Sequence, residues 1–170
     1  VLKWTTYTGA DGYVVYGNKC NTGSQKYKFE KLTTIKGDKT TYTSKKLAKG
    51  TYYKYCVKAY KLVDGKKVWL AKSKVVHTTT SGSKFGNAKG VSVNKTGFTL
   101  AVGKSATIKA KQIKEKNPIK YHTDIKYESS DKSVASVSKN GVIKAKKAGM
   151  AYIYVYAQNG IYKKAKVTVK

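Results

Sequence analysis

Apolar residues along this chain recur at a spacing of two, most clearly between Tyr127 and Ala157. Val134, Ala135 and Val137 lead into Asn140-Gly141, and Val142, Ile143 and Ala145 follow. After Ala148-Gly149, the residues Ala151, Ile153, Val155 and Ala157 alternate with Tyr152, Tyr154 and Tyr156. Such alternation predicts strands with one buried face, and Asn-Gly predicts a tight hairpin between two of them. The β-branched and aromatic content agrees, and no stretch has helical spacing.

The same period marks the first half. Strands are expected at Val1–Trp4, Tyr13–Tyr16, Tyr27–Leu32, Thr40–Thr43, Tyr52–Tyr60 and Val68–Thr79, with turns at Gly9–Gly12 and Val63–Lys66. Further on, Val91–Val93, Phe98–Val102 and Ala106–Ala110 read as strands, and Asn159-Gly160 joins the last two. Lys111–His122 holds the only proline, shows little alternation, and reads as a longer charged loop. The expected fold is all-β: two tandem antiparallel β-sandwich domains of immunoglobulin-like type. A chain of 170 residues fits two sandwiches of about 80 residues better than one. The polar run Thr78–Ser83 is the natural boundary, giving domains at 1–80 and 91–170 with a linker at 81–90. Phe85 is expected to pack at the junction.

Both halves resemble known families. The run Ser129-Ser130-Asp131, Ser133-Val134-Ala135-x-Val137, Gly141-x-Ile143, Ala148-Gly149 and Val167-Thr168-Val169 resembles the bacterial immunoglobulin-like domain, group 2, across about 91–170. That family usually carries Trp where this chain has Tyr127. In the first half, Leu47-x-x-Gly50-Thr51-x-Tyr53-x-x-x-Val57-x-Ala59, with Trp4 and Gly12-Tyr13-x-Val15, resembles a fibronectin type III domain. The resemblance implies that Tyr53 ties its strand to the preceding loop. It places Tyr53, Tyr55, Val57 and Ala59 inward, and Tyr52, Lys54, Cys56 and Lys58 outward. Two departures are Lys49 where Pro is usual, and a missing first strand, which lies upstream or leaves an exposed edge. Together the resemblances imply a non-catalytic, extracellular pair of modules from a larger bacterial secreted or surface protein, acting in spacing, display or adhesion beside neighbouring domains of the same polypeptide.

Charge adds one constraint. The chain carries a formal net charge of +28, and every basic residue is Lys. Attraction to polyanions follows, but Arg, the residue suited to bidentate phosphate and guanine contacts, is absent, so specific nucleic-acid reading is not expected. Such mutual repulsion favours a monomer. No apolar run reaches the roughly 20 residues of a membrane helix, so membrane insertion is not expected either. Val1 and the absence of sorting motifs suggest a fragment of a longer chain.

Candidate chemistry is sparse. Cys20 and Cys56 are an even pair in a chain that resembles extracellular modules, so a disulfide is one expectation; fibronectin-type domains generally lack one, and the residues leave the choice open. His77 and His122 fall in different domains, which argues against a metal site, and no cofactor is expected. Eight scattered carboxylates form no catalytic motif, so the chain is not expected to be an enzyme. One surface invites a ligand. Tyr152, Tyr154 and Tyr156 should form an outward column beside Tyr162, Lys164 and Lys166, suited to an anionic glycan or cell-wall polymer. Tyr52, Lys54, Lys58 and Tyr60 would form a similar column in the first half. Ordinary cross-strand packing on a solvated face explains the same pattern.

Overall fold

A computed structural model describes residues 1–21, 23–84, 86–114 and 125–170; Phe85 and most of the expected 111–122 loop, His122 included, lie outside the described residues. All regular structure among these residues is strand, and the chain divides into two compact units, Val1–Ser83 and Lys84–Lys170. Each unit is an antiparallel sandwich of immunoglobulin-like type with its own core, one parallel pair in the second unit excepted.

The first unit contains β1 (Leu2–Lys3), β2 (Gly12–Lys19), β3 (Glu30–Lys36), β4 (Thr41–Tyr42), β5 (Tyr52–Val63), β6 (Lys66–Lys72) and β7 (Val76–Thr79). Strands β3-β2-β5-β6 form one sheet, β7 also pairs with β5, and β1 pairs with β4. Tyr13 and Val15 sit opposite Ala59 and Val57. These four form the core and pack against Leu2, Trp4, Ile35 and Tyr42. Alternation on β2 and β5 puts them on one face, and the small β1–β4 ladder covers that face.

Three expectations change here. The third strand begins at Glu30 rather than Tyr27. The expected Val68–Thr79 strand is two, because Ser73 interrupts it: Val57 N–H donates to Ser73 Oγ at 2.9 Å and Ser73 N–H donates to Val57 O at 2.8 Å. Most informative is β5, whose expected outward residues Lys54 and Cys56 are buried along with Tyr60. The segment carrying Asn21, Tyr27 and Phe29 folds over them. Lys54 Nζ donates to Asn21 Oδ1 at 3.1 Å and to the Tyr27 carbonyl, and lies 5.0 Å from the Phe29 ring centre. A buried ammonium is tolerated because oxygens and an aromatic face replace its water. The sheet is thus covered on both sides over part of its length.

The second unit contains β8 (Ala88–Val93), β9 (Gly97–Leu100), β10 (Ser105–Thr107), β11 (Ala110–Lys114), β12 (Lys126–Ser129), β13 (Ala135–Val137), β14 (Val142–Ala145), β15 (Gly149–Tyr156) and β16 (Tyr162–Val169). One sheet runs β12-β15-β16-β9, with β9 parallel to β16; β10-β14-β13 and β11-β8 are the other ladders. Ala151, Ile153, Val155 and Ala157 are all buried, as alternation requires, and pack with Ile108, Ile143, Ala165 and Val167. β8 begins at Ala88, inside the stretch read above as linker. The start of the expected charged loop is instead strand β11, which pairs with β8 through Lys111↔Ser92 and Gln112↔Val91. Backbone pairing overrides the charged side chains there, because both edges need partners. Ser129 fixes the turn before β13: its hydroxyl donates to Ala135 O at 2.6 Å, and Asp131 Oδ1 accepts from Ser133 N–H at 2.8 Å.

Candidate functional site

The expected tyrosine column exists on the outer face of the β12-β15-β16-β9 sheet. Register sets Tyr152 opposite Lys166, Tyr154 opposite Lys164 and Tyr156 opposite Tyr162. Tyr154 and Tyr156 stack at 6.1 Å, and Tyr162 meets Tyr154 edge-on at 5.4 Å. Lys164 Nζ sits 4.7 Å from the centre of the Tyr152 ring. Tyr162 is the exposed member; the other three tyrosines are half-buried. All six expected residues therefore share one patch. It is not purely cationic: Glu128 stands opposite Tyr154. Burial first, then the nearby Glu128 carboxylate, push the Tyr156 hydroxyl far above its usual range, so this phenol stays protonated.

The column expected in the first unit is built from other residues. Lys54 and Tyr60 are buried, which removes them as contacts. The exposed part of that face is instead a ladder of lysines over rings. Lys58 Nζ lies 5.1 Å from the Tyr16 ring centre and 5.0 Å from Trp69. Lys72 lies 5.9 Å from Phe29, and Lys67 lies 5.0 Å from Tyr60. Tyr16, Phe29 and Trp69 come from β2, the segment before β3, and β6, so no single run of sequence shows them together. Trp69 reaches this face in regular register from the hairpin turn, Leu62↔Lys67 and Tyr60↔Trp69; a bulge then leaves Leu70 as the extra residue and sets Ala59 opposite Ala71 and Lys58 opposite Lys72. A regular ladder would have paired Lys58 with Ala71 and put Lys72 on the opposite side.

The bond between Cys20 and Cys56 that the sequence left open is not made; both are buried free thiols. Cys20 N–H donates to Tyr52 O, which places Cys20 beside Tyr52, while Cys56 pairs with Tyr16. Four residues of β5 separate the two levels, about 13 Å. A disulfide needs Cα atoms within about 7 Å. Burial pushes the Cys20 thiol up to about 11, against the opposing effect of Lys54, and pushes Cys56 up as well. Two results are expected. Thiol reagents at pH 8 label neither cysteine in the native protein but both in denaturant, by mass spectrometry. Because the unfolded chain releases the Cys20 proton near 9 and the folded chain near 11, this contribution to stability is full below pH 9 and lost between 9 and 11. Cys20→Ser should flatten that part of a denaturation-midpoint curve.

Three of the carboxylates hold nearby turns and strands by hydrogen bonds. Asp11 accepts from Leu62 N–H at 2.6 Å, Glu30 from Asn18 Nδ2 at 3.0 Å, and Asp131 from Ser133 Oγ at 2.6 Å. Hydrogen bonds from Ser133 hold Asp131 below the usual carboxylate range. Asp64-Gly65, both at positive φ, forms the β5–β6 hairpin turn. Among the described residues, no three His, Cys, Asp or Glu side chains gather where a metal could sit. A depression of about 340 Å³ near Lys95, Phe98 and Thr107 is lined by no acid, imidazole or thiol. No helix among the described residues is long and apolar enough to cross a membrane.

Residues 87–169 match the family model of the bacterial Ig-like domain, group 2. No curated protein matches the chain. Among solved structures, 95% of the chain aligns with the S-layer protein rSbsC at 18% identity and a TM-score of 0.42, spanning 20% of that chain. It aligns over 95% with the C-terminal 282-residue fragment of intimin, solved in complex with the intimin-binding domain of its translocated receptor, at 14% identity, a TM-score of 0.37 and 53% of that chain. The human desmocollin-1 ectodomain aligns over 93% at 14% identity and a TM-score of 0.37, with 33% of that chain covered. The chain therefore spans about a fifth to a half of the length of these three structures.

Proposed function

We propose that this chain is a non-catalytic, extracellular module pair of a larger bacterial secreted or surface protein, acting in spacing, display or cell adhesion. The carrying observation is two separately cored β-sandwiches, the second matching the bacterial Ig-like domain over residues 87–169. Within this reading, residues 1–80 are a fibronectin type III-like sandwich, and the bacterial Ig-like sandwich starts with β8 at Ala88, so the linker expected at 81–90 is shorter than the sequence suggested. In favour of the first assignment, Ala48 N–H donates to the Tyr53 hydroxyl at 3.0 Å, the tie that a tyrosine corner makes. The order β3-β2-β5-β6 facing β1–β4 fits the same reading. Folded modules of this kind hold a neighbour at a distance because stretching them must break ladders along both sheets.

The test inserts the pair between an epitope and a wall-anchored carrier, beside a Gly/Ser linker of equal residue number. At equal surface density the pair should give several-fold better antibody access. Equal access would remove spacing as the role.

A second reading has its own observation: Tyr154, Tyr156 and Tyr162 cluster beside Lys164 and Lys166. This patch binds an anionic glycan or cell-wall polymer, the rings packing on sugars and the lysines meeting acidic groups. Retention on purified wall material should fall with rising salt and with Tyr154→Ala/Tyr162→Ala. No retention at low ionic strength ends this reading.

A further inference from the structure

Lys58 and Lys72 stand directly opposite each other on β5 and β6. Like charges at paired positions destabilise a sheet. Here each ammonium turns to a ring rather than to a carboxylate: Lys58 to Tyr16 and Trp69, Lys72 to Phe29. Lys67, opposite Leu62, extends the row by four residues, about 13 Å along the strand. Two of the four acids of this unit are engaged elsewhere, Asp11 on the Leu62 backbone and Glu30 on Asn18. Trp69 and Lys72 are exposed, and Tyr16, Phe29 and Lys58 are half-buried. The face thus presents positive charges beside accessible indole, with a repulsion that an added anion would relieve.

We propose that this lysine–aromatic ladder on the first unit is a binding face for an acidic polysaccharide. Charge complementarity selects an anionic chain. A second copy of a protein with a net charge of +28 would be repelled. A single-stranded nucleic acid is the poorer fit, since it needs open ring faces for its bases, and ammonium groups lie over Tyr16, Phe29 and Trp69. Sugars need less: hydroxyl and C–H contacts at the exposed indole, and acidic groups spaced along a flexible chain to meet Lys58, Lys72 and Lys67. The ligand class is that of the second reading above, but the residues are different and lie in the other unit.

The experiment uses the intact 170-residue protein and three probes, heparin, polygalacturonate and a 20-mer of thymidylate, at two salt concentrations. Wild type should bind the two polysaccharides and lose them with salt. Lys58→Gln/Lys72→Gln should weaken polysaccharide binding roughly tenfold at low salt, whereas the off-face pair Lys3→Gln/Lys39→Gln, equal in charge, should change it less than about threefold. Trp69→Leu should weaken binding without changing the salt slope. Circular dichroism confirms folding of each variant, and Lys72→Gln alone, at an exposed site, replaces the double variant if that does not fold. Equal losses from the on-face and off-face pairs overturn the proposal, as does equally tight thymidylate binding with the same variant pattern. Loss from Tyr154→Ala/Tyr162→Ala with retention by the ladder variants sinks this proposal and leaves the second reading standing; no polysaccharide binding by wild type sinks both.

Discussion

Gly141→Ala is expected to destabilise the second unit by about 3 kcal/mol or more, lowering its thermal midpoint by roughly 15 °C. Gly141 has a φ of 79°, where a side chain costs about 1–2 kcal/mol. Its chain position is also crowded. A Cβ there would overlap the Ile108 carbonyl oxygen and come within 3.0 Å of the Tyr127 ring. The backbone cannot yield freely, because Ile108 N–H donates to Gly141 O at 2.9 Å and Gly141 N–H to Ser138 O at 3.0 Å. Strain and a broken turn therefore add. A scanning-calorimetry midpoint within about 3 °C of wild type would show that the β13–β14 turn shifts at little cost.

Ile153→Ala is expected to cost about 3–5 kcal/mol, and to cost it in one unit only. Ile153 is fully buried in the middle of β15, with Ala165 opposite on β16 and Ser129 opposite on β12. Small neighbours on both sides cannot swing in to fill the space. A cavity remains, and its lining loses contacts. A unit of this size has only some 5–10 kcal/mol in hand, so about half is removed. Because the two cores share no residues, the transition of the first unit should stay where it was. Tryptophan fluorescence reports that unit alone, as Trp4 and Trp69 both belong to it. If both transitions shift together, the units do not fold independently.

Legibility in the sequence followed how many faces of a strand are covered. On β15 the outer side is tyrosine on a surface open to water, the inner side Ala, Ile and Val, and period two gave both sides correctly. On β5 the resemblance to a fibronectin type III domain placed Lys54 and Cys56 outside, and both are buried. Nothing local to β5 reveals this. The oxygens that accept from Lys54 belong to Asn21 and Tyr27, 33 and 27 residues away. The tyrosine patch was readable because its residues lie on one strand and its hairpin partner. The lysine–aromatic ladder was not, because it draws on four segments, β2, the stretch before β3, β5 and β6.

From residue order alone come the all-β class, the division into two modules, the inner face of β15 and the turns at Asn140-Gly141, Asp64-Gly65 and Asn159-Gly160. These follow from period two and from backbone angles, both properties of near neighbours. Folding in three dimensions decided the rest: that Cys20 and Cys56 sit about 13 Å apart along a sheet, that Lys54 is buried, and that one extra residue at Leu70 turns Lys72 to the side of Lys58. The first two depend on contacts between segments far apart in the chain, the third on an irregular register within the β5–β6 hairpin. A shift of one residue exchanges the two faces, and no local pattern encodes it.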